Sequence, residues 1–300
     1  MKVGIIGAGS IGLLFASYIS SSFEVMIYTR TKEQAFEINK YGILLQKGSE
    51  QTISLVNALP ITEWKGTEAL AIVAVKQYQL QSILEKINHL PFIPENLLFL
   101  QNGMGHLAML EKIRAKNIFV GSVEHGAYKE SANKVNQNGE GKTNVAVFQG
   151  DADLLQQFSA PFLKEFPILV QADYYEMLLN KLIVNAAINP LTAILHVQNG
   201  DLVNNHYFFH VLTKLFEEIS FILNLENQEE HLKQIIDICK NTAENRSSML
   251  KDIEANRLTE IDAILGFLLA EADRQGKKAP QLESFYYLVK GKEMERGRVS

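Results

Sequence analysis

Apolar residues come in short unbroken runs through the first half of the chain and in helical stripes through the second. The runs at 2–6, 24–29, 69–75, 97–101 and 118–123 are bounded by turn residues and fit strands buried on both faces. Helical spacing falls between them, at 13–21, 79–88 and 106–116. Strands alternating with helices predict a mostly parallel sheet with right-handed crossovers. The segment 126–149 differs. It is rich in Gly and Asn around 136–141, with 144–148 extended, and predicts an antiparallel addition at the sheet edge. From about Asp173 the strand pattern fades. Asp173-Tyr174-Tyr175-Glu176 fits a capping box opening a long apolar helix. Further helices are predicted at 208–223, 229–242 and 261–275, and the charged tail after Lys290 is expected to fray.

The first run leads directly into Gly7-Ala8-Gly9-Ser10-Ile11-Gly12, which opens the first helix. That context gives a Gly-x-Gly-x-x-Gly turn its meaning. The first glycine permits the turn, the second lets a pyrophosphate approach backbone amides, and the third lets helix and strand pack closely. The fold class expected is therefore an α/β N-terminal Rossmann-type dinucleotide-binding domain, residues 1–172. An all-α C-terminal domain, residues 173–300, follows it. At the end of the second run an NAD site usually carries an acid, but this chain reads Tyr28-Thr29-Arg30-Thr31-Lys32. Arg30 can grip a 2′-phosphate through its planar fork, with Lys32 as a second contact, so NADP is preferred over NAD. Lys76 and Gln101-Asn102-Gly103 follow later strands, at the sheet end where open α/β folds bind ligands. Asn102 suits a cofactor ribose or a substrate, although Asn-Gly is also a common turn dipeptide. Lys76 is open to the same choice.

In the helical half, Lys181, Asn185 and Asn189 recur every fourth residue on an apolar background, so they share one helix face. An ammonium there can stabilise the oxygen of a ketone under hydride attack and donate its proton. Asn185 can orient a substrate without competing for protons. Asn189-Pro190 predicts a kink or a helix end. Thr259-Glu260-Ile261-Asp262 fits a second capping box, with Glu260 in the first turn, where the helix dipole favours its ionised form. Glu260 is then either a helix-start acid or a partner for Lys181 and a substrate hydroxyl.

Composition narrows the classes. A net charge of -5 offers no basic field for nucleic acid. Cys239 is the single cysteine, so no internal disulfide is possible. Neither a leader pattern nor an apolar run long enough to span a bilayer is read in the sequence. A cytoplasmic protein is expected. No metal-ligand spacing is found, and the histidines, His125 and His196 among them, show no pattern beyond turns or surface positions.

Together these residues resemble the ketopantoate reductase family over essentially the whole chain. The matching segments are the Gly7 to Gly12 turn, Arg30, Lys76, Gln101-Asn102-Gly103, His125-Gly126-Ala127, the Lys181 to Ala193 stretch, Gln198-Asn199-Gly200, Asn245 to Met249 and Thr259-Glu260-Ile261-Asp262. The resemblance implies NADPH-dependent reduction of 2-dehydropantoate to (R)-pantoate, in pantothenate and coenzyme A biosynthesis. It implies Lys181 as general acid, and Glu260 as the group that binds the substrate hydroxyl and supports Lys181. Asn185, Asn245 and Ser248 would hold substrate, with Asn189 and Asn199 near it and Asn102 at the junction with the nicotinamide. Gly7, Ala8, Gly9, Ser10, Ile11, Gly12, Arg30, Lys76 and Asn102 would bind the cofactor. The implied partner is a small 2-keto acid, with no nucleic acid or membrane, and a homodimer is compatible. Other readings are a reductase of another branched 2-oxo acid, a 3-hydroxyacid dehydrogenase, or a non-catalytic NADPH-binding sensor. The segments 126–142 and 203–209 have no confident match.

Overall fold

The computed structural model describes residues 1–295. The chain forms two compact units. One comprises Met1–Gln101 and Ala108–Leu178, the other Asn102–Leu107 and Leu179 onward.

The first unit opens with β1 (Lys2–Ile6), α1 (Ser10–Ile19), β2 (Glu24–Thr29), α2 (Lys32–Tyr41), β3 (Ile43–Lys47), β4 (Glu50–Ser54) and β5 (Asn57–Pro60). It continues through β6 (Leu70–Val73), α3 (Gln77–Asn88), β7 (Asn96–Phe99), the single turn α4 (Leu107–Leu110) and β8 (Asn117–Val123). The last elements are β9 (Gly126–Lys129), β10 (Lys134–Gly139), β11 (Thr143–Gln149), α5 (Asp153–Ser159) and β12 (Ile168–Val170). Eight strands form one sheet in the order β12-β11-β8-β7-β6-β1-β2-β5. Adjacent strands from β8 to β5 are parallel. Val3, Ile5, Ile27, Ile72, Leu98 and Phe119 are fully buried in this unit, as near-continuous apolar strands require when helices cover both faces.

In the sheet-bearing half two expectations change. The helix expected at 106–116 shrinks to the single turn of α4. The 126–149 segment divides between two sheets. β11 runs antiparallel to β8, but β12 lies outside it, so β11 is not the edge. β9 and β10 join β3 and β4 in a second sheet, ordered β4-β3-β10-β9, which packs on α1. That sheet forms because β10 pairs in parallel with β3 across nearly a hundred residues, a partnership that local periodicity cannot reveal.

Among its described residues the second unit has helices and loops but no strand. α6 (Tyr174–Leu195) starts in the first unit and continues into the second. It is followed by α7 (Asp201–Asn204), α8 (His206–Leu223), α9 (Gln228–Asn241) and α10 (Ser248–Glu254). A π-helical turn at Asp262–Gly266 then leads into α11 (Phe267–Arg274) and α12 (Pro280–Met294). Asp173 caps α6 as expected, its Oδ1 accepting from the amides of Tyr175 and Glu176. α8 buries Leu212, Leu215, Phe216, Ile219 and Ile222 at helical spacing and packs on α7, α9, α11 and α12.

Pro190 does not end α6, which runs five residues further, to Leu195. Only one amide is lost there, and the Thr192 hydroxyl donates to the carbonyls of Ile188 and Asn189 beside it. α6 also overturns the expectation of no span-length apolar run. Its 22 residues have a mean hydropathy of 1.4 in an 18-residue stretch, enough for a bilayer by length and composition. Of that stretch 61% is buried inside the protein, which marks a core helix. The charged end is helical rather than frayed as far as Met294, because Glu293 is buried and accepts from both the amide and the hydroxyl of Thr259. The remainder of the tail expected to fray, residues 296–300, lies outside the described residues.

Candidate active site

In the first unit, four adjacent parallel strands end at the same edge of the sheet. Gln101 follows β7, Lys76 follows β6, the glycine turn follows β1 and Arg30 follows β2. β1 pairs with β2 on one side and with β6 on the other, the switch point at which open α/β folds bind ligands. Gly7 has φ +107°, closed to most side chains, and its amide donates to Tyr28 O at 2.9 Å. A Cβ on Gly12 would lie 1.8 Å from Gly7 O, so only glycine allows α1 this close to β1. Gly9 is the opposite case, with nothing within 4 Å of where its Cβ would stand. No side chain caps α1, so its first-turn amides are open to an anion at the positive end of the helix dipole. An obligatory glycine, an open one and an uncapped helix start fit a dinucleotide pyrophosphate.

The flanking groups have distinct tasks. Thr31 caps α2 by accepting from the Gln34 amide, while Arg30 and Lys32 are exposed. Lys76 is half-buried at the start of α3. Gln101 is buried and donates to Val73 O and Val75 O, both at 2.9 Å, which ties the end of β7 to the end of β6. Sequence reasoning missed Gln34 and Lys129. Both donate to Ala8 O, at 2.9 and 3.1 Å, and the Lys129 amide donates to Ser10 Oγ at 3.0 Å. Neither has a local signature. Lys129 lies more than a hundred positions beyond the turn it touches, within the segment that had no confident match.

In the second unit, Asn102 Nδ2 donates to Glu260 Oε2 at 2.6 Å, and both residues are half-buried. Gly103 has φ +75°, and a Cβ there would lie 2.1 Å from Ala263 O. Asn102-Gly103 is therefore a turn and also a close backbone approach to the π-helical turn, which places the Asn102 amide on Glu260. The Glu260 carbonyl accepts from the amides of Ala263 and Ile264, as a helix cap does. The second capping box is only partly formed. Thr259 Oγ1 accepts from the Ile261 amide, but Asp262 is turned to Tyr286 and Lys290. Those two partners on α12 offer the carboxylate a hydroxyl and a charge.

Lys181 and Asn185 are half-buried on one face of α6, and Asn189, one turn on, is buried. Asn199 is also buried. Its side chain donates to Thr242 Oγ1 at 2.9 Å and its amide to Asn245 O at 3.0 Å, so it holds the loop that carries Asn245. Asn245 and Ser248 are exposed. Ser247, which sequence reasoning passed over, is buried; its Oγ accepts from Thr192 and from the Leu250 amide, capping α10.

Two histidines depart from the surface positions expected. His125 is buried, stacked on Phe166 at 4.3 Å, and accepts from the Gly141 amide. His106 is fully buried, and neither ring nitrogen has a hydrogen-bond partner. Burial pushes both imidazoles down to about 4. His196 is exposed, as expected, beside Lys292.

The chain is similar to known proteins along nearly its whole length. Residues 3–150 match the family model described as "Ketopantoate reductase PanE/ApbA", and 173–293 match its C-terminal model. The chain is 42% identical to a 2-dehydropantoate 2-reductase of Bacillus subtilis (strain 168), over 100% of both chains. It is 39% identical to one of Listeria innocua, covering 99% of this chain and 98% of that one. A crystal structure described as a probable 2-dehydropantoate 2-reductase from Bacillus subtilis superposes with a TM-score of 0.89, at 42% identity, over 98% of this chain and all of that one.

Proposed function

The chain belongs to the ketopantoate reductase family, and on that premise we propose that it reduces 2-dehydropantoate to (R)-pantoate with NADPH, a step of pantothenate and coenzyme A synthesis. The observation that carries the reading is 42% identity, over the full length of both chains, to a reductase of that name, joined with one constellation. A lysine–asparagine helix face and an Asn102–Glu260 bond lie in a unit whose companion holds a turn fit for a dinucleotide. Residues 1–172 are proposed as the NADP-binding domain and 173–300 as the substrate-binding and catalytic domain.

NADPH supplies the hydride that reduces the 2-keto carbon. Gly7, Ala8, Gly9, Ser10, Ile11 and Gly12 hold its pyrophosphate by backbone donors. Arg30 takes the 2′-phosphate, and Lys76 and Asn102 serve the ribose and nicotinamide side. Lys181 is the general acid. Its ammonium steadies the charge that grows on the keto oxygen and passes a proton to it. Glu260, already accepting from Asn102, takes the substrate hydroxyl and supports Lys181. Asn185, Asn245 and Ser248 offer amide and hydroxyl donors to the substrate carboxylate. Asn189 and Asn199 shape the site, the latter through the loop that it holds. The protein is proposed to act in the cytoplasm on this small acid, apart from nucleic acid and membrane, in a form compatible with a homodimer.

The test is NADPH absorbance decay with 2-dehydropantoate against a panel of other 2-oxo acids, repeated with NADH. Turnover confined to 2-dehydropantoate with NADPH is expected. Faster turnover of another acid would replace the substrate, and NADPH binding without turnover on any acid would favour a sensor.

A further inference from the structure

We propose that Lys129 is a second cation for the 2′-phosphate of NADPH, acting beside Arg30; this rests on the cofactor reading above. The second sheet carries Lys129 at the end of β9 and brings it against the glycine turn, where its amide meets Ser10 Oγ and its ammonium meets Ala8 O. Arg30 comes to the same turn from the end of β2. β1 and β2 pair with Ile6 opposite Tyr28, and Gly7 bonds Tyr28 O, so Arg30 leaves the sheet beside Ala8. A lysine and an arginine thus come close to one turn residue.

Their charges are mutually unfavourable as they stand. The Lys129 ammonium is held below the usual lysine value, first by burial and then by the Arg30 charge. The adjacent acid does not relieve this, because Glu130 binds Lys134 Nζ at 2.9 Å and Asn136 Nδ2 at 2.8 Å. A phosphate dianion between the two cations would satisfy both. An ammonium has three donors on a flexible stem, so Lys129 can keep Ala8 O and still reach a phosphate oxygen. Arg30 alone would be a common 2′-phosphate contact. With Lys129 at the same turn, the preference over NAD would be shared between two cations carried by separate sheets.

Calorimetric titration of NADPH and NADH into the full chain and into Lys129→Met decides the matter. NADPH affinity is expected to fall about tenfold, the scale of one charge-assisted contact, while NADH affinity stays within about twofold. Lys129→Arg should keep NADPH affinity within about threefold. Adenosine 2′-monophosphate should compete with NADPH on the parent chain and bind about tenfold more weakly to Lys129→Met. Equal weakening of both dinucleotides would overturn the inference and leave Lys129 as a brace for the turn. Unchanged NADPH affinity would overturn it as well. If the parent chain itself showed no preference for NADPH, the cofactor reading would fail, and this inference with it.

Discussion

The glycine turn after β1 and the lysine face of α6 are both short motifs, yet they are built from different material. The turn is a backbone site. Its important positions are those where a side chain cannot stand, or where nothing stands in the way. The α6 face is a side-chain site, in which an ordinary helix presents Lys181 and Asn185. A backbone site couples ligand binding to the fold at almost every position, whereas a side-chain site leaves the fold largely untouched when its groups are removed. The comparison also separates two glycines within the turn. Gly12→Ala places a methyl 1.8 Å from Gly7 O and is expected to cost about 3 kcal/mol or more of stability, along with NADPH binding. Gly9→Ala meets nothing within 4 Å and should leave stability within about 0.5 kcal/mol while still blocking the pyrophosphate. Urea denaturation with calorimetric titration reads both, and equal stability loss in the two variants would break the distinction.

On α6 the expectation is reversed. Lys181→Ala should lower kcat by about 10²–10⁴, with NADPH affinity and the urea midpoint unchanged, because proton donation is lost and a half-buried helix position tolerates alanine. Steady-state rates over a pH series check this. Activity near the parent level would remove the lysine from its proposed role.

Each unit also holds a buried neutral histidine, His125 in the first and His106 in the second. Their folded values are pushed down to about 4, below the ordinary 6.5 of the unfolded chain. Between those values the unfolded state binds the extra proton. Both contributions are therefore intact above pH 6.5 and are lost as pH falls towards 4. For His106, with both nitrogens unpartnered, the loss can reach about 3 kcal/mol. Urea midpoints from pH 7 to 4.5 should fall, and His106→Leu should flatten part of the slope. An unchanged slope would mean that the ring is not protonated on unfolding.

What could be read in advance follows the same division. The glycine turn, β1, β2 and the Asp173 cap were legible because each is written in neighbouring residues. The α6 row was legible because helical spacing converts sequence distance into a shared face. The β3–β10 pairing was not, and with it went Lys129, since a strand's partner across some ninety residues leaves no trace in local pattern. His106 and His125 differ from their expected positions because burial belongs to the assembled core and not to the residue type. Glu260 is legible as a helix-start acid or a partner for Lys181, but its bond to Asn102 depends on Gly103 approaching Ala263 at a distance that only the fold sets.

Two adjacent serines at the start of α10 give the finest test of the comparison. Ser247 is buried, caps the helix through the Leu250 amide and accepts from the Thr192 hydroxyl beside Pro190. Ser248 is exposed and has no part in that cap. Ser247→Ala should cost about 1 kcal/mol of stability, the scale of one lost cap, and should disturb the substrate KM only through the shift of α10. Ser248→Ala should leave the urea midpoint in place and raise KM for the keto acid by about three- to tenfold, the scale of one hydrogen bond to a charged group. A KM effect confined to Ser247→Ala would move the substrate contact from the exposed hydroxyl to the capping one, and the side-chain site would then be as dependent on the fold as the glycine turn.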